Sequence, residues 1–479
     1  MSDNRSNYGE ILEEKGSFRD SIATINEDGD RKWVYPKKPK GPYYTKRKIV
    51  AWILLALLFA GPFVKINGEP LLLFNIIERK FVIFGSIFWP QDFFLFVLAM
   101  LTSIIFILLF TTAFGRIFCG WVCPQTIFLE MVFRRIEYII EGDFRKQKKL
   151  DKMPWNSEKI IKKGVKNLLF IVISIIIAHT FLSYVIGYEQ VNELITTNPA
   201  SNPIGFASML IFTGLFYGVF ARFREQACII VCPYGRLQGA LLDNKSIVVA
   251  YDFVRGESTN GRFKFKKGED RDKEGKGDCI DCGACVDVCP TGIDIRNGTQ
   301  LECVNCTACI DACDDIMLSI NKPKGLVRYA SIENIEKKEP FKFTPRLIAY
   351  SAVLGLILSA FVMLLSLRSP VEATILRSQG TTFQKIEGGK MQNLYSYKII
   401  NKTTEEIHAK FEIDGLDAAQ ITLVGKAPVV PKGGSAEGAL FIIIDEAEIT
   451  KYKTKIKVNV IGENGVLTTV KTTFLGPMK

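Results

Sequence analysis

The chain contains only two histidines in 479 residues, and the motifs of several enzyme classes are missing from it. It carries no Rossmann GxGxxG fingerprint, no P-loop and no His-Glu-x-x-His motif, so nucleotide-dependent hydride chemistry is not supported. Two histidines also argue against a protein that binds several haems through pairs of histidine ligands. The first 48 residues are polar and charged, so no cleavable signal peptide is expected.

Long apolar runs, by contrast, are abundant. Five stretches approach the length of about 20 residues that a helix needs to cross a bilayer. These predicted spans are residues 49–64, 92–114, 168–187, 204–220 and 347–367. A further stretch, 71–89, is interrupted by Glu78, Arg79 and Lys80 and is predicted to be an interfacial or loop segment. The chain is therefore predicted to be a helical membrane protein with five spans.

Basic residues are distributed unevenly around these spans. They are abundant before the first span and after the second, whereas residues 188–203, between the third and fourth spans, contain no Lys or Arg. Because Lys and Arg collect on the cytoplasmic side, the N-terminus is predicted to lie inside and the C-terminus outside. The formal net charge of +11 then reflects membrane topology, and no nucleic-acid partner is expected.

Residues 368–479, which this topology places outside, are predicted to form an all-β domain. The stretches 392–400, 407–413, 438–444 and 453–460 alternate or cluster apolar residues, and turn-like sequences separate them. About 100 residues with several short strands are typical of an immunoglobulin-like sandwich. The domain has no cysteine, so no disulfide framework is expected on the outer side.

Cysteine is concentrated in another segment, because eight of the twelve cysteines lie between residues 279 and 313. They form two runs spaced Cys-x-x-Cys-x-x-Cys-x-x-x-Cys, of which the first is followed by Pro290 and the second by Asp314. In bacterial ferredoxins with this spacing, three neighbouring thiolates and the fourth cysteine of the other run hold each [4Fe–4S] cluster. Structural zinc is the alternative, although zinc modules usually separate two Cys-x-x-Cys pairs by a longer spacer. The first cluster is predicted to take Cys279, Cys282, Cys285 and Cys313, and the second Cys303, Cys306, Cys309 and Cys289.

The other four cysteines form two copies of Cys-x-x-x-Cys-Pro, each just beyond a predicted span. They are Cys119 and Cys123 in the first copy and Cys228 and Cys232 in the second, and we call them the membrane-edge thiols. If these segments are helical, each pair shares one face, and the following proline disturbs the helix. Four soft thiolates suit Cu(I), zinc or an iron–sulfur centre. A reversible dithiol–disulfide pair and the packing of small buried side chains are the alternatives.

Four polar features are weaker candidates. His179 lies within the third predicted span, where an ionisable residue is either functional or hydrogen-bonded inside the bundle. His408 is expected to be a surface residue of the β domain. The charged stretch 268–278 is predicted to be a solvated linker. Residues 251–257 either attach the cysteine-rich module to the membrane domain through salt bridges or form an ordinary polar loop.

Taken together, these motifs resemble the membrane polyferredoxin family of cytochrome c oxidase accessory proteins called CcoG or FixG, which includes RdxA-like proteins. The resemblance covers nearly the whole chain and is carried by residues 33–36, 115–124, 228–236, 251–257, 279–296 and 303–313. It implies a bacterial inner-membrane protein of mixed architecture. Its parts would be a cytoplasmic N-terminal segment (1–48), a membrane domain with four spans (49–250), a cytoplasmic two-cluster ferredoxin module (251–344), a fifth span (345–367) and a periplasmic immunoglobulin-like domain (368–479).

The resemblance also implies a function. Proteins of this family are understood to reduce Cu(II) to Cu(I) during assembly of a cbb-type haem–copper oxidase. In this chain the cysteines from Cys279 to Cys313 would ligate clusters that pass electrons, and the membrane-edge thiols would lie near the copper-handling or electron-exit point. The expected partners are membrane lipid, copper ions, oxidase subunits or copper chaperones or transporters, and an electron donor that the sequence does not identify. A homodimer is compatible with the sequence.

Two other functions remain open. The membrane subunit of a quinol dehydrogenase would share the Cys-x-x-x-Cys-Pro motifs and the tandem clusters, and would pass electrons from quinol to a periplasmic reductase. Such subunits generally lack the C-terminal β domain, which disfavours this function. A scaffold or sensor that docks oxidase subunits through its outer domain would hold clusters that cannot be cycled reversibly. Redox titration therefore separates the scaffold from both electron-transfer functions.

Overall fold

The computed structural model describes residues 24–25, 28, 30–66, 68–76, 80–266, 268–339, 342–378, 380, 382–386, 389–403, 405–416, 419–449, 451–463 and 465–477. The chain divides into two compact units. The helical unit comprises Met1–Ala60, Ala99–Leu182 and Val191–Leu358. The β unit comprises Gly61–Leu98, Ser183–Gln190 and Ser359–Lys479.

Four helices in the described part of the chain are long and apolar enough to cross a membrane. They are Phe93–Phe114, Ser157–Ile186, Pro203–Phe223 and Pro345–Ser366. In the first and last of these, only 6% of the most apolar window is buried within the protein. Exposed apolar side chains on such helices suit contact with lipid, in which a helix satisfies all of its own backbone polar groups. These four helices coincide with the second to fifth predicted spans.

The helix at the first predicted span, Pro42–Ala60, is not among these four. Its N-terminal half carries Lys46, Arg47 and Lys48, so its uncharged part is shorter than a full membrane crossing. The five-span arrangement is therefore not established by length and composition, and the first span stays a prediction.

Shorter helices complete the membrane-proximal part of the chain, and several of them include π-helical turns. Turns of this type are rare and occur often at functional sites. The α-helices are Ile117–Trp121, Pro124–Ile127, Arg134–Ile140, Phe144–Lys152, Tyr188–Thr196 and Pro233–Leu241, and the π-helical segments are Phe128–Phe133, Val219–Phe223 and Ala227–Val231.

The cysteine-rich module is closed by an antiparallel pair of strands, Val248–Tyr251 and Val327–Ala330. Both cysteine runs lie between these two strands in sequence. The module also contains the helices Phe253–Glu257, Ala284–Asp287, Ala308–Ser319 and Ile332–Lys337 and the 3-10 turn Ile295–Asn297. Apolar residues such as Val249, Ile310 and Met317 pack around the cysteines and form a buried core.

The C-terminal part of the β unit consists of two antiparallel sheets. One sheet has the order Gln420–Val424, Ser435–Asp445, Lys390–Asn401, Val371–Arg377, with Gln384–Ile386 also paired to Lys390–Asn401. The other has the order Lys410–Asp414, Lys453–Gly462, Gly465–Leu475, and Ile407–His408 pairs separately with Val429–Val430. Alternate residues of the long strands, for example Tyr395, Ile442 and Val458, are fully buried and form the core. The four predicted strand regions therefore all lie in strands.

Residues 71–89, predicted to be an interfacial or loop segment, form an antiparallel sheet instead. Its strands are Leu72–Asn75, Lys80–Ile83 and Ser86–Phe88, preceded by the short pair Lys65–Ile66 and Glu69–Pro70. Val82 and Ile87 are buried in it. Asp92 follows this sheet in sequence and accepts hydrogen bonds from Arg368 and Lys402, both at 2.6 Å. These contacts, all within the β unit, connect the sheet to the C-terminal domain. Lys80, which seemed to interrupt an apolar run, pairs with Glu69 at 3.0 Å.

Candidate metal centre

The two cysteine runs have the same local backbone conformation. In each, the residue before the second cysteine and the residue after it have positive φ, namely Asp281 and Gly283 in the first run and Asn305 and Thr307 in the second. A helix then begins one residue before the third cysteine. Left-handed residues let the backbone turn sharply, so three cysteines of a run can face one space. Thr307 adopts this conformation where the first run has glycine, at a cost in backbone strain.

Two cavities of similar size are lined by these cysteines. One, of about 360 Å³, is lined by Cys279, Cys282, Cys285 and Cys313. The other, of about 350 Å³, is lined by Cys289, Cys303, Cys306 and Cys309, and Cys285 also reaches it. We call them the first and second four-cysteine sites. Each takes its fourth cysteine from the other run, which is the crossed arrangement of two-cluster ferredoxins. The ligand sets themselves stay a prediction, and this lining supports it.

The donor set fits an iron–sulfur cluster better than a single ion. In the described residues, no three His, Cys, Asp or Glu side chains are arranged to hold one metal ion. Structural zinc needs four ligands within about 2.3 Å of one centre. A cluster of four irons occupies more space, and thiolates are the ligands that hold such clusters.

Burial disfavours the thiolate form of Cys285, Cys303, Cys306 and Cys313 in the absence of metal. It raises the pKa of Cys285, Cys303 and Cys313 to about 12, and that of Cys306 to about 11. Neighbouring thiols add to this effect. Because a metal ligand must be the thiolate, filling either site must displace several protons.

Three residues that we did not predict as functional contact the first site. Tyr251 is buried beside Cys279, and burial together with the Cys279 thiol raises the pKa of its phenol. Arg271, only 4% exposed, donates to the carbonyls of Cys279 at 3.1 Å and of Gly277 at 2.7 Å. Arg296 lines the cavity and pairs with Asp294 at 2.7 Å. Tyr251 and Arg296 lie in two segments that carry the family resemblance, 251–257 and 279–296, whereas Arg271 had no sequence signal beyond the charged stretch 268–278.

Two polar segments therefore differ from their predictions. Residues 268–278 are not a purely solvated linker, because Arg271 is buried and pairs with Glu269. In residues 251–257, Arg255 binds Asp278 at 2.6 Å and Asp252 binds Arg328 at 2.6 Å. All of these partners belong to the cysteine-rich module, so the salt bridges close the module on itself.

The membrane-edge thiols come together from the two motif copies. Cys119 lies in the helix Ile117–Trp121, and Gln238, which follows the second motif, donates to its sulfur at 3.6 Å. Burial, with smaller contributions from the other membrane-edge thiols, raises the pKa of Cys119 to about 11 and of Cys228 to about 12. The repeat therefore brings the two motif copies near each other.

The helical geometry predicted for each motif is only partly right. The first helix ends at Trp121, before Cys123, and the second motif passes through the π-helical segment Ala227–Val231. Cys123 and Cys232 are each the residue before a new helix that begins with proline, and their ψ angles are 122° and 114°. Proline is favoured at the first position of a helix because its missing N–H is not needed there. The proline therefore starts a helix rather than disturbing the preceding one.

The two histidines lie where the sequence suggested. His179 lies in the helix Ser157–Ile186, with Nδ1 2.6 Å from the carbonyl oxygen of Ile175. That contact within one helix turn satisfies one ring nitrogen. The side chain of His408 is 57% exposed on a β strand, as expected for a surface residue.

A buried network of ion pairs lies beside the second four-cysteine site. Arg134, 1% exposed, binds Glu130, Glu225 at 3.1 Å and the carbonyl of Pro290 at 2.9 Å. Arg224 makes two hydrogen bonds with Glu137, at 2.6 and 2.8 Å. Pro290 follows Cys289, so Arg134 connects the second site to the segment that precedes Cys228.

Comparison with known proteins agrees with this arrangement. Residues 223–332 match the family model of a 4Fe-4S dicluster domain, residues 96–149 that of a 4Fe-4S binding domain, and residues 361–477 that of the Ig-like fold at the C-terminal of FixG. Protein RdxA of Cereibacter sphaeroides is 31% identical over 92% of this chain and 97% of its own length. FixG of Rhizobium meliloti is 30% identical, over 83% of this chain and 82% of its own. RdxB of Cereibacter sphaeroides is 33% identical over 78% and 80%.

The fold and the cysteine sites define a membrane-associated iron–sulfur electron-transfer protein with ferredoxin-type domains and an Ig-like C-terminal domain. With relatives at 30–33% identity over most of its length, the chain belongs to the FixG/RdxA-like family.

Proposed function

We propose that this protein is a cupric reductase, which uses electrons from two [4Fe–4S] clusters to reduce Cu(II) to Cu(I) for assembly of a cbb-type haem–copper cytochrome c oxidase. The observation that carries the proposal is the occurrence of two cysteine-lined cavities and four further thiols in one compact unit. Iron–sulfur clusters exchange single electrons at low potential. The reduction of Cu(II) to Cu(I) consumes one electron.

Different cysteines of the chain would bind the clusters and the copper. Cys279, Cys282, Cys285 and Cys313 would hold one cluster, and Cys289, Cys303, Cys306 and Cys309 the other. The membrane-edge thiols would receive the copper, since soft thiolates prefer Cu(I) to harder ions. Cys119 and Cys228 are protonated near neutral pH because burial raises their pKa, so copper capture would release protons. Capture of Cu(I) would in turn favour reduction.

The connection to oxidase assembly comes from the family resemblance. The partners we propose are oxidase subunits, copper chaperones or transporters, and a separate electron donor. The Ig-like domain offers a folded surface for partners on the outer side, and its core is complete within the β unit.

The division of the chain into units supports the proposed topology in a bacterial inner membrane. Of the segments that the positive-inside pattern places outside, residues 65–91, 188–190 and 368–479 belong to the β unit, whereas residues 191–203 belong to the helical unit. The helix Pro42–Ala60 belongs to the helical unit, and the chain continues from it directly into the β unit. A helix that crosses the membrane would make this passage. We therefore propose five spans, with the clusters in the cytoplasm and the Ig-like domain in the periplasm.

The proposal is tested by anaerobic oxidation of the dithionite-reduced protein, with Cu(II) and a quinone analogue compared as oxidants. We expect Cu(II) to reoxidise the clusters and to appear as Cu(I). Oxidation by the quinone analogue alone would identify a quinol dehydrogenase instead. Clusters that do not cycle reversibly would indicate a scaffold or sensor.

A double variant tests the copper site. Cys119→Ala with Cys232→Ala should spare iron content but lower the rate of Cu(II) reduction. Gly164→Ala is the control, because an added Cβ there has no neighbour within 4 Å. An unchanged rate in the double variant would show that the membrane-edge thiols are not the copper route.

A further inference from the structure

The first Cys-x-x-x-Cys-Pro motif touches the second cysteine run directly. A Cβ added to Gly120 would lie 2.6 Å from the carbonyl oxygens of both Val304 and Asn305. Real Cβ atoms do not approach backbone oxygens so closely, so only glycine permits this contact. Its neighbour Cys119 packs against the apolar cluster that contains Val304 and Cys306. The motif therefore lies against the loop that carries three cysteines of the second four-cysteine site.

A second contact joins the same motif to the same loop. Trp121 Nε1 donates to the Tyr329 hydroxyl at 3.0 Å, and that hydroxyl donates to the carbonyl of Asn305 at 3.3 Å. Arg47 donates to the carbonyl of Gly120 at 2.6 Å and holds the motif from the other side. Two neighbouring residues of the motif, Gly120 and Trp121, are thus both fixed relative to Asn305.

Asn305 in turn is fixed inside the second run. It is 2% exposed, and its side-chain oxygen accepts from Val249 N at 3.2 Å. A displacement of Gly120 would therefore be transmitted to the backbone between Cys303 and Cys306.

The two four-cysteine sites differ in their surroundings. Cys282, in the first site, is the one exposed cysteine of the twelve, whereas Cys306, in the second, is buried. The second Cys-x-x-x-Cys-Pro motif has Ile229 and Ile230 where the first has Gly120 and Trp121, so the close approach belongs to one motif alone. Cys285 lines both cavities, so the sites adjoin each other.

We propose that Gly120 is a positioning residue that holds the first motif against the second four-cysteine site, and that the second site is therefore the one that exchanges electrons with the membrane-edge thiols. The first site, with its exposed cysteine, then exchanges electrons with the external donor. One electron leaves the second site for each Cu(II) converted to Cu(I), and no covalent bond forms or breaks. The inference rests on the proposed function in assuming that both sites bind clusters.

The test is Gly120→Ala in the full chain, with Gly164→Ala as the matched control, since the added methyl there meets nothing. The added methyl cannot fit 2.6 Å from the carbonyl oxygens of Val304 and Asn305, so it must separate the motif from the second site. We therefore expect Gly120→Ala to slow reoxidation by Cu(II) relative to Gly164→Ala. Iron content and reduction by dithionite should stay unchanged. An equal rate in the two variants, or a slowing no larger than the loss of iron, would overturn the proposal.

Freeze-quench EPR gives a readout that a merely structural role would not change. Cys282→Ala and Cys306→Ala, each lacking one cluster, identify the signals of the two sites. In the unaltered protein mixed with substoichiometric Cu(II), the second-site signal should disappear first, and in Gly120→Ala it should persist. Loss of the first-site signal before the second would overturn the proposed order.

The same series with a membrane-soluble quinone analogue separates this inference from the proposed function. If Cu(II) oxidises nothing while the quinone analogue empties the second site first, the copper function fails and the role of Gly120 holds. If Cu(II) is reduced but Gly120→Ala behaves like Gly164→Ala, the function holds and this inference fails.

Discussion

The helical unit and the β unit are stabilised in different ways. The core of the C-terminal β domain consists of apolar residues on facing strands, such as Tyr395, Leu440 and Val458. The helical unit also contains apolar clusters, but it buries thiols and ion pairs as well, including Arg134 with Glu225. An apolar core is complete without a cofactor, whereas a core lined by thiols is complete only when metal fills it. The comparison indicates that metal binding and folding are coupled in one unit and independent in the other.

Removal of iron should have the largest effect and should act on one unit only. Because metal binding contributes directly to folding where the site is not otherwise stable, the apo protein should lose hydrogen-exchange protection across Val248–Ala330. The strands from Val371 to Leu475 should keep theirs. Equal loss of protection in both regions would contradict the separation.

A core truncation in the β domain tests whether that domain can be destabilised without affecting the iron sites of the helical unit. Phe474 is fully buried, and Phe474→Ala should cost about 3–5 kcal/mol of unfolding free energy in that domain. Iron content and the EPR signals should not change. Val466→Ala, at a site 58% exposed in the same strand, is the control and should have little effect.

A substitution in the buried ion network of the helical unit should cost as much unfolding free energy as the substitution in the core of the β domain. Arg134→Ala removes the ion-pair partner of buried Glu130 and one of the partners of Glu225, which keeps Arg31. Removing one member of a buried pair costs about 3–5 kcal/mol. Lys162→Ala, which breaks the exposed pair with Glu158, should cost less than about 1 kcal/mol. Thermal unfolding of the iron-loaded protein measures both. A similar cost for the two variants would show that the network adds little.

The prediction with the smallest expected effect concerns the pH dependence of stability, which should differ between the two units. In the apo protein, burial raises the pKa of Cys285, Cys303 and Cys313 from 9.0 to about 12. A raised thiol pKa contributes stability below pH 9 that is lost as the pH rises towards 12. In the β domain, burial raises the pKa of Tyr395 from 10.0 to about 12. The stability that this tyrosine contributes therefore begins to be lost one pH unit higher than that of the cysteines. The structure that Val248–Ala330 retains without iron should therefore weaken further between pH 9 and 10 while the β domain does not, as measured by unfolding at each pH. Loss in both regions over that interval would contradict this assignment.

Much of this arrangement could be predicted from the sequence because it depends on local patterns. Apolar length identified four spans, and strand alternation identified the β domain. The spacing of the cysteines predicted the crossed sites. Residues 71–89 were misjudged because Lys80 looked like an interruption, whereas its charge is satisfied by Glu69. Arg271 was missed for a similar reason, since its buried hydrogen bonds depend on the tertiary fold and leave no periodic signal.

The contact of Gly120 with Asn305 was also beyond prediction. A glycine between two cysteines is compatible with many structures. Glycine is required at position 120 only because the backbone of Asn305, far away in sequence, approaches it closely. The pairing of the two Cys-x-x-x-Cys-Pro motifs was predictable as a repeat. The interruption of the helix before the second cysteine of each motif was not predictable, because proline can either end one helix or begin the next.

The central claim is that the eight cysteines hold two [4Fe–4S] clusters with crossed ligands. The most direct test is iron analysis combined with EPR of the reduced protein, before and after Cys289→Ala. We expect about eight irons per chain in the unaltered protein. Cys289→Ala should abolish the cluster of the second run, although Cys289 belongs to the first run in sequence. Zinc in place of iron, or loss of the first run's cluster in Cys289→Ala, would contradict the account.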